Sequence, residues 1–314
     1  MIPQLRLAAP VFCGLVASAV WAEEPADLLE RMGTALEEAS YRGVIIHQQA
    51  TKTDTFKVFH TMRDGVVRER LVRQEGDGVE IIRNGNQVHC VIPEKQVVLM
   101  EAWNGQGRLF SAISDDVESL SGAYDLEISG KERIAGRKAV VVSITPRDRL
   151  RFARRLWLDV ESGFPLKSER SDTQGNLVDR IRFADIELGA DLTEQDFRSR
   201  YPLDDFSWYP SPEPVVSRET VDWWSEKLPV GFRKESGHIE KLDQKESAVT
   251  HIVYTDGLSR VSVFIKTGKG DPATSRGRVG NAHSFSTQRD GYRITAVGEV
   301  PPAAVEQIAL SMRR

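Results

Sequence analysis

The sequence predicts an α+β protein with two domains, and three observations support that prediction. An amphipathic segment near the N-terminus precedes a long series of β-rich runs that are separated by turn signals. A proline-rich segment interrupts this pattern at residues 199–219. The shorter part that follows has its own hairpin signal and ends in a helical pattern, as expected of a second, smaller domain.

Residues 1–22 are typical of an export signal. Arg6 supplies the positive start, an apolar run follows at residues 7–20, and Val20-Trp-Ala22 is a small-residue cleavage site. A membrane span needs about 20 apolar residues, and this run is shorter and contains a proline and a glycine. We therefore expect an exported protein whose mature chain begins at Glu23.

The composition is mildly acidic and poor in cysteine. Lys and Arg total 42 against 46 Asp and Glu, so the chain offers no general attraction for nucleic acid. Of the two cysteines, Cys13 lies in the export signal, which leaves Cys90 alone in the mature chain. No intramolecular disulfide is therefore expected.

Residues 23–198 form the first predicted domain. Residues 25–40 predict a helix, and the segment Asn104–Ala123 predicts a loop with a helical turn near Asp115–Leu120. Turn signals between β-rich runs predict an antiparallel meander. They lie at Asp64-Gly65, Gly76–Gly78, Asn84-Gly85, Gly136, Glu161–Gly163 and Gln174-Gly175. One amphipathic helix beside a long antiparallel sheet suggests a half-barrel.

A stiff linker and a second domain follow. Four prolines recur within residues 199–219, and their spacing is expected to prevent regular pairing or helix formation. In residues 220–314, Asp256-Gly257 stands between two β-rich runs and predicts a hairpin. The chain ends in a predicted helix whose apolar positions fall on one face: Val305, Ile308, Ala309 and Met312.

Further segments occur along the chain in a specific order. They are Tyr41-Arg-Gly-Val, Val67-Arg-Glu-Arg-Leu71, the run Ile134–Asp148 and the run Leu156–Lys167, followed by the C-terminal aromatic and hairpin segments. Together they resemble the MucB/RseB family of periplasmic regulators over essentially the whole mature chain. The resemblance implies an N-terminal domain similar to the lipoprotein carriers, an open half β-barrel that helices cap around an apolar cavity.

The resemblance also implies a regulatory function in the periplasm. The C-terminal domain would bind the periplasmic region of a single-pass membrane anti-sigma factor and shield it from proteolysis. Binding of lipid A, as lipopolysaccharide, or of lipoprotein acyl chains would then release that partner. The sequence is compatible with a homo-oligomer as well as with a monomer. The alternative is a periplasmic carrier of lipids or lipoproteins without a signalling role, against which the long second domain argues.

Apolar positions on predicted strands are the candidates for lipid contact. Strand alternation sends Phe56 and Val58 to one face and places Leu156 and Leu158 together. The remaining candidates for the same face are Ile46, Leu71 and Ile81. All seven are equally compatible with an ordinary core, and only the family resemblance favours lipid contact.

Arg147 and Arg151 are the candidates for an anionic head group. A guanidinium group binds phosphate through two parallel hydrogen bonds, and the family pattern is also basic at these two positions. The alternative is a solvated turn whose arginines pair with nearby acidic residues.

Four aromatic residues are the candidates for partner contact, because exposed aromatics are the usual anchors of interfaces. They are Trp223, Trp224, Phe232 and Phe264. A domain of this size needs some of them for its core, so we expect one or two to face a partner.

The sequence offers no catalytic or metal-binding motif. None of its six histidines has helical metal spacing or lies beside a cysteine pair, and no nucleophile elbow or phosphate loop occurs. We therefore expect no enzyme activity, no cofactor and no metal site.

Overall fold

The computed structural model describes residues 24–49, 52–103, 110, 117–210, 215–217, 221–241, 248–268 and 274–314. The predicted export signal lies outside these residues, as do residues 104–109 and 111–116 of the predicted loop. The described part of that loop contains a 3₁₀ helix at Glu118–Gly122, close to the predicted helical turn. Among the described residues, no helix has the length and apolar character needed to cross a membrane.

Helix α1, Pro25–Glu38, precedes the first sheet, which has twelve strands in the described residues. The strands are β1 Tyr41–Gln49, β2 Lys52–Arg63, β3 Val66–Arg73, β4 Glu80–Asn84, β5 Gln87–Ile92, β6 Val97–Ala102, β7 Tyr124–Ile134, β8 Arg137–Pro146, β9 Ala153–Asp159, β10 Pro165–Ser171, β11 Leu177–Leu188 and β12 Ser207–Pro210. Their order is β12-β6-β5-β4-β3-β2-β1-β11-β10-β9-β8-β7, so the sheet is open, with β12 and β7 at its edges. Two meanders meet where β1 pairs with β11.

The turns of this sheet follow the signals in the sequence. Asp64-Gly65 joins β2 to β3 with φ angles of 53° and 73°, and Ala135-Gly136 joins β7 to β8 with 48° and 76°. Positive φ at both central residues gives a two-residue turn whose twist matches that of the flanking strands. The predicted antiparallel meander is therefore confirmed, and the described residues are mostly β-strand with few helices.

Helix α1 packs against one end of the sheet. Pro25 suits the first turn of a helix, because the N–H group that proline lacks would have no hydrogen-bond partner within the helix there. Leu28, Leu29 and Met32 recur at helical spacing and pack against side chains of β7, β8 and β9. The predicted helix is confirmed, although it ends at Glu38 because Ala39 is already extended.

The second sheet has seven strands in the described residues, in the order β13-β15-β16-β17-β20-β19-β18. They are β13 Val215–Ser217, β15 Arg233–Lys241, β16 Val249–Thr255, β17 Arg260–Thr267, β18 Ser275–Val279, β19 Ala282–Arg289 and β20 Tyr292–Gly298. A separate pair joins β14 Trp224–Ser225 to β21 Met312–Arg313. Helix α2, Pro302–Leu310, packs against β19 and β20.

The core of the second domain lies between this sheet and α2. The predicted hairpin is confirmed, since β16 and β17 flank Asp256-Gly257. Val305, Ile308 and Ala309 are buried on one face of α2. Met312 joins the same core from β21, because the helix ends before it.

The expectation that prolines keep the interdomain segment from pairing is wrong in two places. Ser207–Pro210 pairs in parallel with β6 at the edge of the first sheet. Val215–Ser217 pairs with β15 at the edge of the second sheet. An edge strand uses only one side of its backbone for pairing, so it tolerates a proline such as Pro210.

Candidate functional site

A buried arginine joins the two sheets. Arg151 lies between β8 and β9, and its side chain is 0% exposed. Its Nε donates a hydrogen bond to Oδ2 of Asp256 at 2.6 Å, and its other nitrogens donate to the carboxylate of Asp148 and the carbonyl oxygen of Val230. Val230 and Asp256 belong to the second domain. The side chain of Arg151, in the first domain, therefore links the two domains.

Both oxygens of Asp256 accept hydrogen bonds. The hydroxyl group of Tyr124 donates to Oδ2 at 2.8 Å, and the backbone N–H groups of Leu258 and Ser259 donate to Oδ1 at 3.0 and 2.7 Å. A buried charge is tolerated when it is paired and hydrogen-bonded in this way. We call Tyr124, Asp148, Arg151, Val230 and Asp256 the domain contact.

Burial and the carboxylate of Asp256 shift the pKa values of two groups in the domain contact. Burial raises the pKa of Tyr124, and the charge of Asp256 raises it further, so the phenol stays protonated. Burial alone would lower the pKa of Arg151, but the hydrogen bond and charge of Asp256 more than reverse this effect. Within the domain contact, Tyr124 is therefore neutral and Arg151 is charged.

The two candidate head-group arginines have different surroundings. Arg151 is not available to a head group, because it is buried and its donors are used by the domain contact. Arg147 is 53% exposed and pairs with Asp125 at 2.7 Å. The sequence could not predict that Arg151 is buried and Arg147 exposed, because Asp256, the buried partner of Arg151, lies 105 residues away.

Four of the seven candidate lipid-contact residues form one cluster on a single face of the first sheet. Val58 lies opposite Leu71, and Leu71 lies opposite Ile81. Phe56 is two residues from Val58 on β2 and points the same way. These side chains pack in one apolar cluster, where Val58 and Leu71 are buried and the other two are half-buried.

Two of the remaining three candidates lie on the same face in another cluster, because ladder partners run from Leu156 through Ser168, Ile181 and His47 to Asp54, two residues before Phe56. Leu156 and Leu158 are buried beneath helix α1, in the cluster that holds the helix on the sheet. Ile46 lies opposite Thr55, whereas its neighbour Ile45 lies opposite Phe56, so Ile46 is on the other face. The expectation that Ile46 shares the face of Phe56 is wrong, and Ile45 occupies that place.

Phe110 covers the apolar cluster that contains Val58 and Leu71. Its ring is 4% exposed and stacks on Phe183 with centroids 5.9 Å apart and planes at 12°. It also meets Phe164 edge-on at 6.5 Å. An aromatic side chain therefore fills space at the face proposed for lipid.

The four candidate partner-binding aromatics divide into core and surface. Trp223 and Phe232 are buried in the core of the second domain. Trp224 is 51% exposed and is the first residue of the short strand β14. Phe264 is half-buried on the outer face of the second sheet, because its neighbours Val263 and Ile265 point into the core.

Phe264 has polar neighbours on that outer face. It stacks on His251 with ring centroids 4.4 Å apart and planes at 17°. His251 on β16 lies directly opposite His238 on β15, and Glu240 lies two residues after His238 on the same strand. Sequence reasoning missed this group, although the alternation His238-x-Glu240 on one strand and a histidine on the next was its signal.

Models of two protein domains match nearly the entire described chain. The MucB/RseB N-terminal domain matches residues 24–201, and the MucB/RseB C-terminal domain matches residues 217–313. The chain belongs to the MucB/RseB family. Within the family, it is 30% identical over 311 residues to the sigma factor AlgU regulatory protein MucB of Pseudomonas aeruginosa, covering 95% of this chain and 94% of that protein.

Solved structures of MucB share the fold of this MucB/RseB family member. The complex of Pseudomonas aeruginosa MucA and MucB gives a TM-score of 0.73 at 29% identity and covers 93% of this chain and 99% of the solved one. A crystal structure of MucB gives a TM-score of 0.58 at 28% identity and covers 92% and 97%.

Proposed function

We propose that this chain is a periplasmic regulator that binds the periplasmic region of a single-pass membrane anti-sigma factor. Bound there, it protects that region from proteolysis and releases it when lipid is sensed. The observation that carries the proposal is membership of the MucB/RseB family over both domains, together with the likeness to MucB in its complex with MucA.

The second domain, residues 220–314, is the proposed partner-binding domain. Trp224 and Phe264 are its candidate anchors, because they are the two of the four aromatics outside its core. Trp223 and Phe232 contribute indirectly by building the scaffold that carries them. Aromatic anchors at the centre of an interface supply much of its binding free energy.

The first domain, residues 23–198, is the proposed lipid sensor. Its open sheet would curve as a half-barrel capped by helix α1, as in the lipoprotein carriers. The apolar cluster of Phe56, Val58, Leu71 and Ile81 is its candidate contact with acyl chains, and displacement of Phe110 would admit them. The exposed Arg147 is the remaining candidate for the anionic head group.

The signal would pass through the arrangement of the two domains. MucB in its complex and the other MucB structure cover nearly the same share of this chain, yet their TM-scores are 0.73 and 0.58. The solved structures therefore differ in how well they superpose on this chain, and we assign that difference to the arrangement of the two domains. A lipid that prefers one arrangement and a partner that prefers the other lower each other's affinity.

Affinity purification from detergent-solubilised membranes tests the proposal. The mature chain serves as bait, and mass spectrometry identifies bound protein and lipid. We expect a single-pass membrane protein with a periplasmic region. Recovery of lipid without such a protein would instead support a periplasmic carrier and overturn the regulatory proposal.

A further inference from the structure

Three metal-ligating side chains converge on the outer face of the second sheet. His238 on β15 lies directly opposite His251 on β16, and Glu240 lies two residues after His238. Side chains two residues apart on a strand point to the same face. Ile252 and Tyr254 alternate into the core, so His251 and its two neighbours face outward.

The distances among these side chains suit a small metal ion. One ligand atom from each of the three residues lies within 4.8 Å of the others. His238 Nε2 and Glu240 Oε2 are 3.4 Å apart. Metal–ligand bonds of about 2.0–2.2 Å in a tetrahedral zinc site place neighbouring ligand atoms roughly 3.3–3.6 Å apart. All three residues are half-buried, so rotation about their own χ angles can close the remaining distance.

The donor set selects the class of ion. Two imidazole nitrogens and one carboxylate oxygen match sites for zinc and similar transition metals, whereas calcium and magnesium prefer ligands that are all oxygen. A tetrahedral ion held by these three side chains keeps a fourth position for water.

His251 has a buried nitrogen without a hydrogen-bond partner. Its Nε2 is shielded from solvent and has no hydrogen-bond partner, which is uncommon for a buried polar atom. The stacked ring of Phe264 limits how the imidazole can turn. The histidine is therefore held in place with one nitrogen left to coordinate.

We propose that His238, Glu240 and His251 bind a divalent transition-metal ion of the zinc class. This site goes beyond the proposed regulatory function and does not depend on it.

Calorimetric titration of the untagged mature protein with Zn²⁺ tests the site. We expect one ion per chain, and we expect His238→Ala and His251→Ala each to lower the affinity by more than about tenfold, the smallest loss seen when a group that only orients a ligand is removed. Glu240→Gln should also weaken binding. With Co²⁺, the wild-type protein should show the visible absorption of a tetrahedral ion, which each of the two histidine variants loses.

His89→Ala is the matched control, because His89 is another half-buried histidine with an unpaired Nε2 but lies on the first sheet. It should bind Zn²⁺ like the wild type. Circular dichroism confirms that each variant is folded. Absence of stoichiometric binding, or binding that survives His238→Ala and His251→Ala in folded protein, would overturn the proposal.

Discussion

Two adjacent tryptophans, Trp223 and Trp224, have opposite surroundings. Trp223 is 7% exposed and meets Tyr292 edge-on with ring centroids 5.2 Å apart. Trp224 is half exposed beside Arg313 at the β14–β21 pair. The same residue type at neighbouring positions therefore has a structural role at Trp223 and a proposed binding role at Trp224.

Replacing each tryptophan with alanine should separate stability from binding. Trp223→Ala empties part of the core and should cost about 3–5 kcal/mol of stability. Trp224→Ala should change stability by no more than about 0.5 kcal/mol but weaken partner binding by more than about 1 kcal/mol. Thermal unfolding and calorimetric titration measure the two effects. Full partner affinity in Trp224→Ala would remove it from the interface.

Asp159 makes part of the stability depend on acid. Burial alone would raise the pKa of Asp159, but hydrogen bonds from Arg137 and Ser162 outweigh burial and hold it below its usual range. Both Nε and Nη2 of Arg137 lie 2.9 Å from a carboxylate oxygen. Because folding lowers this pKa, the resulting stability is complete above about pH 3.9, the ordinary pKa of aspartate, and is lost as pH falls through the lowered value.

Asp159→Asn should therefore be less stable than the wild type by about 1.5–3 kcal/mol at pH 7. That difference should shrink as pH falls below about 4, where the wild-type carboxyl group becomes protonated. Thermal unfolding of both proteins from pH 7 to acid measures it. A difference that stays constant over this range would show that the Arg137 pair does not set the acid sensitivity.

At the scale of the element, local signals predicted the meander well. The turns at Asp64-Gly65 and Ala135-Gly136 need residues that accept positive φ, and glycine shows that need in the sequence itself. The sequence did not indicate which face of the sheet Ile46 occupies. Val44, Ile45 and Ile46 are consecutive apolar residues, so no alternation indicates which of them faces the apolar cluster.

Phe56 and Ile46 form a matched pair for testing the lipid-binding face. Both are half-buried on neighbouring strands, but they lie on opposite faces of the first sheet. Phe56→Ser should lower the binding of a fluorescent acyl-chain probe, whereas Ile46→Ser should leave it unchanged. Circular dichroism confirms that both variants are folded. Equal probe binding by the two variants would reject this face as the lipid site.

For the molecule as a whole, the domain contact could not be predicted from the sequence. The pairing of Arg151 with Asp256 depends on how two separately patterned domains pack, and no local periodicity encodes that packing. The sequence identified Asp256-Gly257 as a hairpin turn. The structure adds that the same aspartate binds the other domain.

Arg151→Met should disrupt the domain contact, and Arg147→Ala serves as its control. Removing one partner of a buried ion pair typically costs about 3–5 kcal/mol because the other charge stays buried and unpaired. The exposed pair of Arg147 with Asp125 should contribute at most about 1 kcal/mol. Small-angle scattering should show a more extended molecule for Arg151→Met alone. An unchanged profile would show that other contacts fix the arrangement.

Lipid and partner should lower each other's affinity for this protein, and one titration measures that coupling. The mature protein is titrated with the periplasmic region of the proposed anti-sigma partner, with and without lipopolysaccharide. Lipopolysaccharide should weaken partner binding by about 1–3 kcal/mol, or roughly 5- to 150-fold. Equal affinity under both conditions would contradict the account, because the chain would then bind its partner without sensing lipid.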